Sequence, residues 1–333
     1  MNRYHAVLQG APARHLIARR IAADAGFRSL DDEALWRHHD RLMAKFHEQI
    51  DGVHDASFVA DSSLLDVKIE LAERMLKACN FCGRCCRLDR HEGPGACGVD
   101  ATSHVSSEFL HMGEEPELIP SHTIFFEGCN FACAYCQNWE IARRISGPPV
   151  DAGRMCRLIE HRHRQGSANV NFVGGDPAPH LHTVLKIIRC IESNIPTIWN
   201  SNMYLSPETL QLLDGAIDVY LADFRYGDDG HALRYSGIKN YWEVTTRAFL
   251  EAKRQADVLV RLLVLPGHVE CCARPIIEWC ARNLGSDVRF NLMFQYHPEY
   301  RAAEFPEINR HLTGREIRLA MEIAREAGLT NLV

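Results

Sequence analysis

Residues 123–136 read Thr-Ile-Phe-Phe-Glu-Gly-Cys-Asn-Phe-Ala-Cys-Ala-Tyr-Cys, a short β-like run followed at once by three closely spaced cysteines. Cys129, Cys133 and Cys136 form the pattern C-x3-C-x2-C. Three thiolates on one loop can hold three irons of a 4Fe-4S cluster and leave the fourth iron open to a small molecule. A structural zinc site normally takes four protein ligands, and His122 is a candidate for the fourth. The spacing favours the open cluster, with zinc as the alternative.

Beyond residue 120, short β-rich runs alternate with helical stretches. The strand candidates are residues 123–126, 169–173, 197–200, 217–222, 258–265 and 288–294. Such alternation is typical of βαβ units and a parallel sheet. Six units suit a curved, partial (β/α)6 barrel at least as well as a flat, doubly wound sheet.

The sequence predicts further segments before and after this barrel. Apolar residues at three- and four-residue steps predict a helical extension over residues 1–78, with Asp61-Ser62-Ser63 as a candidate helix N-cap. A Cys-rich metal-binding segment and an irregular connector are expected over residues 79–119. The barrel is expected over 120–300 and a helical tail over 301–333.

A second cysteine group lies before the barrel. Cys79, Cys82, Cys86 and Cys97 form C-x2-C-x3-C-x10-C, and Cys85 is an alternative third ligand. Four thiolates this close along the chain can surround one metal. Structural zinc and an auxiliary iron-sulfur cluster both remain open, because thiolates suit both metals.

Composition narrows the class of protein. With 46% hydrophobic and 24% charged residues, the 333-residue chain is typical of globular proteins rather than disordered ones. No apolar run is long enough to span a membrane, and we see no signal peptide. The net charge of -6 gives no reason to expect nucleic acid or an anionic membrane as a partner. Thirteen cysteines, an odd number, favour metal-binding thiols in a reducing cytoplasm over disulfides.

The cysteine pattern after the first strand of a βα series resembles the radical S-adenosylmethionine (SAM) superfamily. Four segments also resemble the narrower group of proteins similar to pyruvate formate-lyase activating enzyme: residues 121–129, 136–140, 173–177 and 265–268. The likeness covers roughly residues 64–330. It implies a partial (β/α)6 radical SAM barrel, with a 4Fe-4S cluster on the three loop cysteines and SAM at the open iron.

The resemblance also implies which residues bind SAM. Gly174-Gly175-Asp176 matches a Gly-Gly-Glu-like motif at the SAM amino group, with a shorter acid here. Asp223-Phe224-Arg225 matches a D-x-K motif, with arginine in place of lysine. The further implied contacts are Tyr135, Asn200, Asn202, Arg261 and His268. Most of these residues fall at C-terminal strand ends, which form the active-site rim of barrel-like folds. No protein side chain is predicted as an acid-base catalyst.

The implied reaction is reductive cleavage of SAM to methionine and a 5′-deoxyadenosyl radical, which abstracts hydrogen from an unknown substrate. The substrate could be a protein glycine, as in glycyl-radical enzyme activation, another peptide residue or a small molecule. An electron donor such as flavodoxin or ferredoxin is the expected partner. Glycyl-radical activating enzymes usually carry extra clusters after the radical SAM motif, whereas the second cysteine group here precedes it.

Two other functions are weighed against this one. The first is a non-catalytic iron-sulfur or zinc protein that transfers electrons or scaffolds a partner, which would explain both cysteine groups but not the polar residues at the strand ends. The second is SAM-dependent transfer of an aminocarboxypropyl group. Two short segments have open roles. The vicinal pair Cys271-Cys272 is expected to start a buried helix, with metal binding or redox activity as the alternative. Gly113-Glu114-Glu115-Pro116 is expected to be a solvated turn, with contact to the substrate as the alternative.

Overall fold

The computed structural model describes residues 1–50, 52 and 59–333, and it places helices before, between and after the strands of one sheet. Residues 51 and 53–58 of the predicted helical extension lie outside the described residues. The α-helices of the described chain are α1 (Asn2–Leu8), α2 (Arg14–Ala18), α3 (Asp32–Gln49), α4 (Leu64–Met75), α5 (Trp139–Arg143), α6 (Ala152–Arg164), α7 (Leu181–Cys190), α8 (Pro207–Leu213), α9 (Asp229–Ser236), α10 (Tyr241–Gln255), α11 (Arg274–Asn283) and α12 (Gly314–Glu326).

The sheet has seven strands in the order of the chain. They are β1 (Val105–His111), β2 (Ser121–Phe126), β3 (Asn169–Gly174), β4 (Thr197–Ser201), β5 (Val219–Asp223), β6 (Asp257–Leu263) and β7 (Arg289–Met293). β1 pairs antiparallel with β2, and β2 to β7 are all parallel to their neighbours. The sheet does not close on itself, since β1 and β7 are its two edges. The predicted partial (β/α)6 barrel is therefore confirmed.

The strands alternate between two apolar environments, as the two-residue period of a strand requires. One set of side chains joins the core under the helices, as Trp199, Tyr220 and Val260 do. The other set faces the barrel interior. At the N-terminal end of the barrel, these inward-facing side chains pack with Tyr4 of α1 and with Leu118. The strand residues of this separate buried cluster are Ile198, Val219, Leu221 and Leu259. Helix α1 and this cluster therefore close the N-terminal end of the barrel.

The connector predicted within residues 79–119 is not irregular throughout, because it contains β1. β1 is a mostly exposed edge strand, and a bulge interrupts its pairing between Val105 and Ser107. Polar and apolar residues do not alternate regularly along β1, so the two-residue pattern that predicts a strand is weak here.

The acidic segment after β1 crosses the barrel interior, so the predicted solvated turn is also wrong. Glu115 is 3% exposed and accepts hydrogen bonds from Arg261 of β6 and Asn291 of β7. Glu114 pairs with the same arginine and accepts from Asn171 of β3 at 3.1 Å. These contacts bridge the gap between the sheet edges and make a polar layer above the apolar cluster.

The N-terminal helices pack on the outside of the barrel. As predicted, Ser63 is the N-cap of α4, and its backbone N–H donates to the Asp66 carboxylate at 2.7 Å. That carboxylate also accepts from Arg189 of α7, which ties the extension to the barrel. Among the described helices, none combines the length and the apolar character needed to cross a membrane.

Candidate functional site

The three cysteines after β2 lie on a loop at the C-terminal end of the barrel. Cys129 and Cys133 are buried and Cys136 is half-buried. The Phe131 N–H donates to the Cys129 sulfur at 3.3 Å, and the Ser236 hydroxyl donates to the Cys133 sulfur at 3.0 Å. Donors directed at the sulfurs are what thiolate ligands of a cluster require.

Burial determines the protonation of these thiols. It raises the pKa of Cys129 well above the ordinary value and that of Cys136 to about 11, so without a metal both are neutral near pH 7. A metal centre would displace these protons, because the thiolate is the ligand form. The other zinc ligand considered, His122, has its Nε2 2.7 Å from Glu108. That contact gives no support to a zinc site built from His122 and the loop cysteines.

Gly174 and Gly175 bring the end of β3 against the cysteine loop. Gly174 has φ of 130°, a conformation that side chains with a Cβ rarely adopt. A Cβ at Gly174 would clash with the Phe126 backbone, and one at Gly175 would clash with the Gly128 carbonyl. Since Gly128 immediately precedes Cys129, both glycines allow the two segments to approach.

Asp176 is anchored at the same place. Its carboxylate accepts from the Ala178 N–H at 2.9 Å, the Asn202 N–H at 3.0 Å and the Ser201 hydroxyl at 3.1 Å. Burial raises the pKa of Asp176 to about 6, against these hydrogen bonds, which lower it. The carboxylate therefore carries its charge only above about pH 6.

Asp223 and Arg225 form an ion pair at the end of β5. The Arg225 backbone N–H donates to the hydroxyl of the buried Tyr241 at 2.8 Å, which fixes the chain at this residue. Asn202 is fixed as well, because its side-chain amide donates to Asn130 on the cysteine loop at 2.7 Å.

These segments surround one cavity of about 380 Å³ at the C-terminal ends of the strands. This volume is within the ordinary range of small-molecule sites. Most of the predicted SAM residues line it together with one loop cysteine: Cys136, Gly174, Gly175, Asp176, Asn200, Asn202, Asp223, Arg225 and Arg261. Four apolar side chains also line it, namely Phe125, Val173, Leu263 and Met293.

Two of the predicted residues do not line this cavity. The Tyr135 side chain is buried, and its hydroxyl donates to Tyr226 at 2.9 Å. His268 lies beyond β6, with its Nδ1 2.7 Å from the Pro266 carbonyl. Arg261 does line the cavity, but its guanidinium pairs with Glu114 and Glu115, so it belongs to the polar floor.

The second cysteine group surrounds a smaller cavity of its own. Its lining includes the four predicted ligands Cys79, Cys82, Cys86 and Cys97, together with Cys85. The sulfurs of Cys86 and Cys97 lie 3.9 and 3.6 Å from the place that a Cβ of Gly95 would occupy, so they converge there. Cys85 is exposed, and its sulfur contacts the Cys82 carbonyl at 3.5 Å.

A buried arginine accompanies this group. Arg90 is 1% exposed, and it donates to the Cys79 sulfur at 3.5 Å and to the Asp100 and Pro179 carbonyls. A buried guanidinium needs negative charge nearby, and metal-bound thiolates would supply it. The two cysteine groups are also in contact, because the Cys129 N–H donates to the Cys97 carbonyl at 3.2 Å.

Comparison with known proteins agrees with this site. The family model described as the radical SAM superfamily matches residues 123–280. An uncharacterized protein of Methanocaldococcus jannaschii, MJ0674, is 42% identical, and the match covers 99% of this chain and 98% of that protein. The chain belongs to the radical SAM superfamily.

One solved structure shares the fold of this chain at low sequence identity, and a second match is weaker. Streptococcus suis SuiB bound to the precursor peptide SuiA matches with a TM-score of 0.50 and 12% identity, over 90% of this chain and 61% of that one. SuiB bound to S-adenosylmethionine matches with a TM-score of 0.44 and 17% identity, over 60% of this chain and 44% of that one. This radical SAM protein thus spans at most about three fifths of the SuiB chains it matches.

Radical SAM membership implies a 4Fe-4S cluster and SAM as cofactors. The site fits both, since three thiols on one loop adjoin a cavity lined with polar groups of both charges.

Several lining residues were missed from the sequence. Leu263 and Met293 follow Arg261 and Asn291 by two residues, so strand alternation could have indicated them. His111 carries no such signal, because β1, the strand that it ends, was not recognised.

Proposed function

We propose that this protein is a radical SAM enzyme that holds a 4Fe-4S cluster on Cys129, Cys133 and Cys136 and binds SAM in the adjoining cavity. The observation that carries the proposal is the convergence of Cys136, Asp176 and Arg225 on one cavity from the ends of different strands. When bound, the cluster and SAM supply a 5′-deoxyadenosyl radical that takes a hydrogen atom from the substrate.

The chain itself binds and orients the small molecule. Asp176 offers a carboxylate for the SAM ammonium, and Arg225 offers a guanidinium for its carboxylate. Leu263 and Met293 provide apolar surface in the cavity wall, which would keep water from the reacting atoms. Asn200 is the candidate for the ribose hydroxyls, because it lines the cavity between these two charged groups.

We propose a residue of a protein or peptide as the substrate. Two likenesses support this class: the segments similar to pyruvate formate-lyase activating enzyme, and the fold shared with SuiB, which was solved with a precursor peptide. A small electron carrier such as flavodoxin or ferredoxin is the proposed donor. The cytoplasm is the proposed compartment, because it keeps thiols reduced.

We propose further that Cys79, Cys82, Cys86 and Cys97 hold a second metal centre. The shared cavity and the buried Arg90 support it for either zinc or an auxiliary iron-sulfur cluster. Iron and zinc counts on Cys86→Ala and Cys85→Ala proteins distinguish the metals, since the second variant removes an exposed cysteine of the same segment. Loss of iron in Cys86→Ala alone would identify a cluster, loss of zinc alone would identify a zinc site, and loss of neither would exclude a centre bound through Cys86.

The principal test uses anaerobically purified, cluster-reconstituted protein incubated with SAM and a strong reductant. The nucleoside product is identified by mass spectrometry, with Cys133→Ala as the inactive variant and Cys190→Ala, at an exposed cysteine, as the control. We expect 5′-deoxyadenosine from the wild type and the control only. Methylthioadenosine instead would indicate aminocarboxypropyl transfer. No SAM binding by fully loaded protein would leave an electron-transfer or scaffold protein.

A further inference from the structure

Three potential metal ligands meet on the rim of the barrel, outside both cysteine groups. His231 lies on α9, His268 lies beyond β6, and Cys271 lies in the π-helical turn Val269–Ala273. One ligand atom of each lies within 4.8 Å of the other two. His231 Nε2 is 3.7 Å from the Cys271 sulfur. A tetrahedral zinc ion with bonds of roughly 2.0 Å to nitrogen and 2.3 Å to sulfur needs these atoms about 3.5 Å apart.

In both histidines a hydrogen bond at Nδ1 leaves Nε2 available to bind a metal. His231 Nδ1 lies 2.6 Å from Asp228 Oδ2, and the N–H donates to this carboxylate. His268 Nδ1 lies 2.7 Å from the Pro266 carbonyl, which can only accept. In each neutral ring Nε2 then carries the lone pair. A carboxylate or carbonyl behind a ligating histidine is the usual arrangement around bound metals.

The Tyr235 hydroxyl stands between His268 and a carboxylate. The Tyr235 hydroxyl lies 3.0 Å from His268 Nε2 and 2.6 Å from Glu307 Oε1, yet it has a single hydrogen. The single hydrogen can go to His268 Nε2, because Arg234 also donates to Glu307 Oε1. When it goes to Glu307 instead, the His268 lone pair faces an oxygen rather than a donor. A cation at Nε2 would satisfy that lone pair.

Charge and access also suit a divalent ion. The Asp228 carboxylate behind His231 would offset part of the charge of the cation, whereas Glu307 already pairs with Arg234. His268 is buried, whereas His231 and Cys271 are half-buried, so an ion can reach them from solvent. A water molecule or a group of the substrate could take the fourth coordination position.

We propose that His231, His268 and Cys271 form a binding site for zinc or a similar borderline divalent ion. Binding releases one proton from the Cys271 thiol to solvent and involves no change of oxidation state. The ion joins α9 to the loop after β6.

Such an ion would also support the cysteine loop. The residues at the end of α9 contact that loop, because Ser236 donates to the Cys133 sulfur and the Ala134 N–H donates to the Tyr235 carbonyl at 2.7 Å. The site is independent of the proposed reaction, since it needs neither SAM nor a reduced cluster.

The test counts zinc on protein whose cysteine groups have first been filled with iron. Reconstituted protein is saturated with zinc, passed through a chelating resin and analysed by mass spectrometry for zinc and iron per chain. The variants are His231→Ala and Cys271→Ser, and Cys190→Ser is the control at an exposed cysteine. We expect wild type and control to retain about one zinc per chain more than either variant, with equal iron in all four.

X-ray absorption at the zinc edge identifies the ligands. For the zinc that the variants lose, we expect nitrogen at about 2.0 Å and one sulfur at about 2.3 Å. Equal zinc in the wild type and both variants would overturn the proposal, and so would an all-sulfur shell that persists in Cys271→Ser. Unchanged circular dichroism and iron content show that the variants are folded, so a negative result is distinct from misfolding or from failure of the radical reaction.

Discussion

The Ser236 hydroxyl donates a hydrogen bond to the Cys133 sulfur across 3.0 Å, although 103 residues separate them in the chain. The same hydroxyl lies 2.6 Å from that of Tyr226, to which Tyr135 donates at 2.9 Å. A buried chain of hydroxyl groups therefore ends at a proposed cluster ligand.

Replacing Ser236 with alanine should lower the reduction potential of the cluster by tens of millivolts. A hydrogen bond to a ligand sulfur stabilises the more negative, reduced state, and Ser236→Ala removes it. A redox titration followed by electron paramagnetic resonance measures the change. Ser286→Ala, at an exposed serine, is the control. An unchanged potential in Ser236→Ala with full iron content would contradict the role given to this hydroxyl.

Replacing Arg225 with methionine should weaken SAM binding by roughly 10- to 100-fold, the usual value of a hydrogen bond to a charged group. Methionine keeps much of the side-chain volume but cannot pair with a carboxylate. Anaerobic calorimetry with cluster-loaded protein measures the dissociation constant, and Arg247→Met, at an exposed arginine of α10, is the control. Equal affinities for wild type and Arg225→Met would place the SAM carboxylate elsewhere.

SAM binding should weaken as the pH falls below about 6. The pKa of Asp176 is raised to about 6, so its carboxylate loses charge there rather than near the ordinary value of 3.8. Each unit of pH below that point should cost up to about tenfold in affinity, because the SAM ammonium loses its partner. Equilibrium dialysis with labelled SAM between about pH 5 and pH 8 measures this. In Asp176→Asn the affinity should be low and independent of pH, and a wild-type slope that persists in this variant would assign it to another group.

Replacing Gly175 with alanine should reduce the iron content and lower the free energy of unfolding by about 1–3 kcal/mol. The added Cβ would clash with the Gly128 carbonyl and push the cysteine loop away from β3. Gly153→Ala is the matched control, since a Cβ there meets only ordinary contacts within α6. Iron analysis and thermal unfolding measure both effects, and full iron loading of Gly175→Ala would show that the loop can adjust.

The inner strands could be predicted from the sequence because their pattern is local. β3 and β4 are short β-rich runs bounded by turn residues, and the cysteine spacing is readable without any tertiary contact. The residues of the cavity could be predicted from the same local patterns, because parallel strands bring their C-terminal ends to one edge of the sheet.

What could not be predicted depends on contacts between distant residues. The local sequence around Glu115 predicts an exposed acid, because its partner Arg261 lies 146 residues later in the chain. His231 and Cys271 are likewise 40 residues apart and belong to no spaced motif. Tyr135 matches a family pattern, yet its side chain turns to Tyr226, because the position of an aromatic ring depends on its neighbours and not on the motif.

The closed N-terminal end of the barrel affects the kinetics of turnover. Tyr4 and Leu118 fill that end, and the Glu115–Arg261 pair lies above them, so within the described part of the chain the cavity opens toward the C-terminal ends of the strands. Products must then leave by the way the next SAM and substrate enter. We expect the order of release to govern the steady-state rate, with the nucleoside product competing against SAM for the vacant cavity.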